Sequence, residues 1–199
     1  MLTPSFPIRT DRLLLRAFES ADEDAWYAIR SRDDVARYLY GQALTREGVR
    51  AEVERKRGNT ALRDEGDVLS VAVVEPNAAR VIGEVILRWR SRVHRQGEIG
   101  FVFHPEFGGK GYATEAAAAM LDLGFEGLGL HRIYGSCDAR NRASAALMER
   151  LGMRREAHFI HNEIFKGEWG EEFHYAILRD EWSARRTPGA RTGRSALDS

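Results

Sequence analysis

Three stretches, Val68 to Val74, Val81 to Trp89 and Glu98 to Phe103, gather β-branched and aromatic residues, and turn-rich or charged segments separate them. That pattern predicts strands joined as an antiparallel meander. Upstream, Arg12 to Arg16 predicts a short strand. Ser20-Ala21-Asp22-Glu23 then reads as a capping box, with Ala25, Trp26 and Ile29 on one inward face of the following helix. Thr45 is placed to cap a second helix ending near Gly58, whose Val49 and Val53 share one side.

Downstream, the pattern alternates strand with helix. Pro105 stops the strand that ends at Phe103, Gly109 and Gly111 permit a tight turn, and Thr114-Glu115 opens an alanine-rich helix running to 125. Arg132 to Cys137 predicts a strand, and Ser144 to Leu151 a short helix closed by Gly152. Two further strands fall near 154–165 and 172–178. Strand–helix alternation requires some parallel pairing, so the expected fold class is α/β (α+β), one mixed and mostly antiparallel sheet flanked by helices. No internal repeat is visible. The segment from Ser183 has little to bury and is expected to be a disordered tail.

Composition narrows the classes. With 199 residues, 43% of them hydrophobic, the chain suits one well-filled core. Its 30 basic and 30 acidic residues cancel, so no global field favours nucleic acid or an anionic membrane. No apolar run approaches the ~20 residues of a membrane span, and the start, MLTPSFPIRTDR, lacks a signal peptide's apolar centre. A soluble cytoplasmic protein is the expectation. Cys137 is the only cysteine, which excludes an internal disulfide and reads as a buried strand residue. The six histidines show no ligand spacing, and no metal is expected.

The segment from Gly97 to Ala117, GEIGFVFHPEFGGKGYATEAA, carries the chemistry. A glycine turn that opens a helix exposes unpaired N–H groups at the positive end of the macrodipole, which suits a diphosphate. A P-loop would need Ser or Thr after Lys110, where Gly111 stands; a dinucleotide fingerprint would need Gly or Ala at Thr114. Neither fits.

The turn instead resembles the Q/R-x-x-G-x-G/A signature of the GNAT superfamily of acetyl-CoA-dependent N-acetyltransferases, laid on Gly108 to Ala113 with Gly108 in place of Gln or Arg. The longer string from Pro105 to Ala116 is similar to the ribosomal-protein N-terminal (Rim-type) branch. So are Arg9-Thr10-Asp11-Arg12-Leu13-Leu14-Leu15-Arg16, Asn141-Arg142-Ala143-Ser144 and Leu151-Gly152-Met153. The resemblance covers residues 8–182 as one domain. It implies a twisted sheet of about seven strands with about four helices, and a possible homodimer.

It also implies site residues. Backbone amides of Gly109, Lys110, Gly111, Tyr112, Ala113 and Thr114 would hold the pyrophosphate of acetyl-CoA, with Lys110 adding charge. Backbone groups of Phe101, Val102 and Phe103 would pair with the pantetheine arm as a missing strand would, and Asn141 would contact it. Glu98, ten residues before Gly108, stands where family members with a strand carboxylate carry their base. Ser144 and Glu163 match the acid and base proposed in the Rim branch. The position of the acid tyrosine used by many relatives is Met148, which cannot donate a proton. Each residue has an ordinary alternative: an exposed strand glutamate for Glu98, a hairpin charge for Glu163, a helix cap for Ser144, a turn residue for Asn141, a solvated loop lysine for Lys110.

The expected acceptor is the α-amine of a protein or peptide. A small amine, such as a polyamine, an amino acid derivative or an aminoglycoside, is the alternative. An aminoglycoside cleft would favour an acidic lining, and no acidic cluster can be placed there from sequence. A non-catalytic acyl-CoA-binding module is the third possibility. Trp26, Tyr38, Tyr40, Trp89, Phe159 and Trp169 are the aromatic candidates for the acceptor cleft, and the run from Arg88 to Arg95 is a basic hairpin.

Overall fold

A computed structural model describes residues 1–186. Its strands are β1 (Ile8–Arg9), β2 (Leu14–Arg16), β3 (Val68–Glu75), β4 (Arg80–Ser91), β5 (Gln96–Phe103), β6 (Arg132–Asp138), β7 (Arg154–Phe165) and β8 (Glu168–Leu178). They form one sheet in the order β1-β2-β3-β4-β5-β6-β8-β7. Every neighbouring pair is antiparallel except β5 and β6. The helices are α1 (Glu23–Arg30), α2 (Asp33–Ala36), α3 (Arg46–Gly58), α4 (Tyr112–Asp122), α5 (Arg142–Arg150) and α6 (Arg179–Arg186). No helix among the described residues is long and apolar enough to cross a membrane.

The meander and the mixed sheet agree with the sequence pattern; the counts differ slightly. Among the described residues, eight strands replace seven because β1 is two residues long, too short to show a period. Six helices replace four because α2 is a single turn and α6 lies partly in the expected tail. Ser183 to Arg186 complete α6, which is anchored by buried Trp182, whose Nε1 donates to Asp122 at 2.8 Å. The rest of the expected tail lies outside the described residues.

The cap of α1 also sits elsewhere. Asp22 accepts from the Glu19 backbone at 2.8 Å and is gripped by the Arg16 fork, with both contacts at 2.7 Å. The capping pair is therefore Glu19 and Asp22, one residue earlier than the pattern suggested, and a 3₁₀ turn over Ser20–Asp22 leads into α1. Thr45 caps α3 as expected, accepting from Gly48 N at 3.2 Å.

Alternation along the strands divides the core between two faces. On one, Leu69, Val71, Val85, Leu87 and Ile99 pack under Met120, Leu121, Leu147 and Met148 of α4 and α5. On the other, Ala72, Val74 and Val81 meet Phe18, Trp26, Ile29, Val49 and Val53 around α1 and α3. Charge is buried on this second face. Lys56 pairs with Glu84, which also accepts from Ser70 Oγ, and the Lys56 ammonium lies 5.5 Å and 5.1 Å from the rings of Phe18 and Trp26.

Removing one member of a buried ion pair leaves its partner's charge without compensation. Lys56→Met should lower unfolding stability in urea by about 3 kcal/mol or more, and Lys56→Met/Glu84→Met should recover much of that loss. A single variant as stable as wild type would contradict the pairing.

Candidate active site

β5 and β6 pair only at Gln96↔Arg132, Gly97↔Ile133 and Glu98↔Tyr134. Both strands continue, to Phe103 and Asp138, without further pairing, so the sheet opens into a V with its apex at Glu98. Glycine at 135 permits this apex. A Cβ there would lie 3.1 Å from Met148 Sδ and 3.2 Å from the Ile99 carbonyl oxygen. Met148 itself is buried and packs beneath the opening as core. Phe101, Val102 and Phe103 lie on the unpaired stretch, with backbone groups facing the V free to bond a ligand.

At the open end, a 3₁₀ turn over Pro105–Phe107 returns the Gly108 N–H to the Pro105 carbonyl at 2.9 Å. A Cβ on Gly108 would sit 2.9 Å from that same oxygen, which accounts for glycine where the signature carries Gln or Arg. Gly109 and Gly111 have φ of +73° and +81°, in the left-handed region that favours glycine. Gly111 is the N-cap of α4. None of the backbone N–H groups from Gly109 to Thr114 has a hydrogen-bond partner among the described residues. Lys110 extends over the Phe107 ring at 5.2 Å, and Arg150 of α5 reaches Thr114 Oγ1 at 3.2 Å. A run of unpaired donors, a helix N-terminus and two cations suit a diphosphate. Arg150 was not legible as part of this site, since nothing local in α5 points to the turn.

Asn141 caps α5, its Oδ1 accepting from Ser144 N at 3.1 Å. The Ser144 hydroxyl is half-buried and has no hydrogen-bond partner among the described residues.

The remaining candidates lie on the face of α1 and α3. Glu98 is held by two guanidiniums, Arg90 at 2.8 Å and Arg88 at 3.4 Å, and Arg90 also donates to Tyr134 Oη at 3.0 Å. Much of the basic hairpin is thus spent internally, since Arg92 pairs with Asp64 at 2.8 Å. Glu163 follows an irregularity in β7 between Phe159 and Glu163 and accepts from Tyr40 Oη at 2.8 Å. The Tyr40 residue is exposed, yet its pKa is pushed up to about 12, by desolvation first, then by the hydrogen bond to Glu163 and the charges of Glu163, Glu172 and Glu98. Glu163 therefore meets this hydroxyl directly, and Glu98 reaches it only through its charge.

Tyr38, Tyr40, Ser136, Asp138, Glu163, Phe165, Glu171 and Glu172 line one cleft. The acidic lining that could not be placed from sequence is present here. Asp138 is compensated: two hydrogen bonds from the Arg140 guanidinium hold its carboxyl below the usual range. Glu163 and Glu172 have no ion pair with Arg or Lys among the described residues; Glu172 meets His174, while Glu171, on the opposite face with Phe173, meets His158. Of the aromatic candidates, Tyr38 and Tyr40 reach the cleft. Trp26 and Trp89 are core, while Phe159 and Trp169 are exposed on the β7–β8 hairpin. No group of three or more metal-ligating side chains forms among the described residues.

A V-shaped parallel opening, a diphosphate-suited turn beside it and carboxylates across the apex define a coenzyme-dependent acyltransferase fold. The acetyltransferase (GNAT) domain family matches residues 12–154. The chain belongs to this family and is an N-acetyltransferase. An uncharacterized N-acetyltransferase of Bacillus subtilis, YnaD, is 39% identical over 177 residues, 88% of this chain and 99% of its own. The crystal structure of a GNAT-family acetyltransferase from Bacillus anthracis superposes with a TM-score of 0.79 at 34% identity, covering 88% of this chain and all of that one. The Escherichia coli spermidine N(1)-acetyltransferase is 31% identical over 100 residues, 50% of this chain and 54% of its own.

Cys137 borders the same cleft. Burial first, then Asp138, Glu172 and Glu149, push its thiol up to about 12. Only the thiolate reacts, so alkylation by iodoacetamide at pH 8 should be about 10³-fold slower in the folded protein than in urea. Comparable rates in the two states would contradict this environment.

Proposed function

We propose that this enzyme moves acetyl from acetyl-CoA to a primary amine of a small acceptor that carries at least one further positive charge, a polyamine-like molecule. The observation that carries this reading is the pair of carboxylates, Glu163 and Glu172, without Arg or Lys partners in the cleft at the V. A cation about 5 Å from one such carboxylate gains about 3 kcal/mol at an effective dielectric of about 20. The partial match to a spermidine acetyltransferase supports the same direction. We place the reaction in the cytoplasm, whose reducing conditions suit a lone thiol.

Acetyl-CoA, when bound, supplies the activated acetyl group; backbone donors from Gly109 to Thr114, Lys110 and Arg150 would hold its diphosphate, and Asn141 with residues 101–103 its arm. An ammonium has no lone pair, so the acceptor must surrender a proton before attack. Glu163 is the proposed base, its carboxylate oriented by the Tyr40 hydroxyl, whose pKa is pushed up to about 12. Glu98, committed to Arg88 and Arg90, fixes the apex and can take the proton through water. The unpartnered Ser144 hydroxyl is available to hydrogen-bond the leaving sulfur. Orientation in the V supplies much of the rate.

The N-terminal α-amine of a protein, as in the Rim branch, is the second reading. Its support is the string from Pro105 to Ala116 and the opening from Arg9 to Arg16. An α-amine, with a pKa around 8, needs only a weak base.

Release of free coenzyme A, measured over polyamines, monoamines and peptides with free or blocked N-termini, tests the proposal. Polyamines should turn over, with KM rising with salt. Glu163→Gln should lower kcat about 10²-fold, and Glu172→Gln should raise KM for polyamines but not for monoamines. Turnover confined to free peptide N-termini would overturn the polyamine reading and establish the second.

A further inference from the structure

The segment before β2 crosses the first turn of α4, far from it in sequence. Glu115 Oε1 accepts from the Thr10 hydroxyl at 2.6 Å and from the Arg12 backbone N–H at 2.9 Å. Glu115 Oε2 accepts from Arg12 Nε at 2.7 Å, and Arg12 Nη2 completes the ion pair at 2.7 Å. The remaining arm of the fork, Arg12 Nη1, donates to the Lys110 carbonyl oxygen at 2.9 Å, and the guanidinium lies 4.8 Å over the Tyr112 ring. A Cβ on Gly111 would approach Arg12 Nη2 to 3.3 Å, so glycine lets the fork lie flat against the turn.

Two consequences follow for an anion at this turn. The Lys110–Gly111 peptide is planar and trans, so its carbonyl and N–H point in opposite directions. Tying the Lys110 oxygen to Arg12 therefore turns the Gly111 N–H away from Arg12. The second consequence is charge. Glu115 is partly buried, which alone would raise its carboxyl; hydrogen bonds from Thr10 and Arg12 outweigh that and hold it low, hence ionised. An ionised carboxylate in the first turn of α4 would repel a phosphate unless a cation covers it.

We propose that Arg12, seated on Glu115, is a positioning residue for the coenzyme diphosphate: it aims the Gly111 N–H at the phosphate and cancels the negative charge that Glu115 would otherwise present. This rests on the assignment of the glycine turn to the coenzyme. The arrangement connects two stretches that the sequence offers separately, Arg9 to Arg16 and Thr114-Glu115.

The test uses two acetyl donors, acetyl-CoA and S-acetylpantetheine, which lacks the diphosphate. Arg12→Ala should raise KM for acetyl-CoA and Kd for free coenzyme A about tenfold, leave KM for the amine unchanged and change kcat by less than about twofold. The efficiency with S-acetylpantetheine should not move. Arg12→Ala/Glu115→Ala should bind coenzyme A more tightly than Arg12→Ala, because the uncovered carboxylate is gone. Arg12→Lys should fall between wild type and Arg12→Ala. Equal losses with both donors would show a merely structural strut and overturn the proposal. So would an unchanged Kd for coenzyme A in Arg12→Ala while Gly109→Val weakens it. If Gly109→Val leaves that Kd unchanged as well, the assignment of the turn falls, and this proposal with it.

Discussion

The active-site architecture depends on a hydrogen-bond ladder that stops. β5 and β6 are the only parallel neighbours in the sheet, and their pairing ends at Glu98↔Tyr134 although both strands run on. A buried backbone donor or acceptor left without a partner costs on the order of 1–3 kcal/mol. A sheet keeps such an opening where packing holds the strands apart and a ligand can supply the missing partners. Gly135 and Met148 provide the packing at the apex. An extended ligand bearing amides, with a diphosphate at one end, suits the rest: unpaired strand backbone leads to unpaired N–H groups of the glycine turn.

The two faces of the sheet divide the chemistry. α4 and α5 cover one face and bring the coenzyme turn, Arg150, Asn141 and Ser144. On the other, the chain after α1 and the β7–β8 hairpin enclose the acidic cleft proposed for the acceptor. A chain with zero net charge still carries a locally acidic cleft, because compensation is allocated unevenly. Glu98 has two arginines and Asp138 has one, whereas Glu163 has a tyrosine and Glu171 and Glu172 have histidines.

What was legible in the sequence was local. The Thr45 cap, the three-strand meander, the glycine turn and Gly152 at φ +85° are each specified by neighbours within a few residues. β1 and α2 are too short to carry a period, and the first cap moved to Glu19 because Arg16 captures Asp22. The site contacts that stayed hidden are distant. Tyr40 and Glu163 are separated by 123 positions, Arg12 and Glu115 by 103. No periodicity brings such pairs together; sheet order does. The acidic cleft was invisible for the same reason, since Glu163 and Glu172 converge only through the register of β7 on β8 and the irregularity before Glu163.

A cleft lined with uncompensated carboxylates faces conflicting demands. It attracts the acceptor as an ammonium, yet negative charge close to an ammonium favours the protonated form, which cannot attack. A monoamine would meet both demands at one nitrogen, so the field that binds it also suppresses its reactivity. An acceptor with a second cationic group separates them: the distant charge keeps the attraction while the attacking nitrogen gives up its proton. Tyr40 sharpens the separation, because its hydrogen bond occupies one lone pair of Glu163 and leaves the carboxylate oriented toward the cleft. In the proposed reading, Glu163 beside Tyr40 would serve the attacking nitrogen, and Glu172 on β8 would hold the second cationic group.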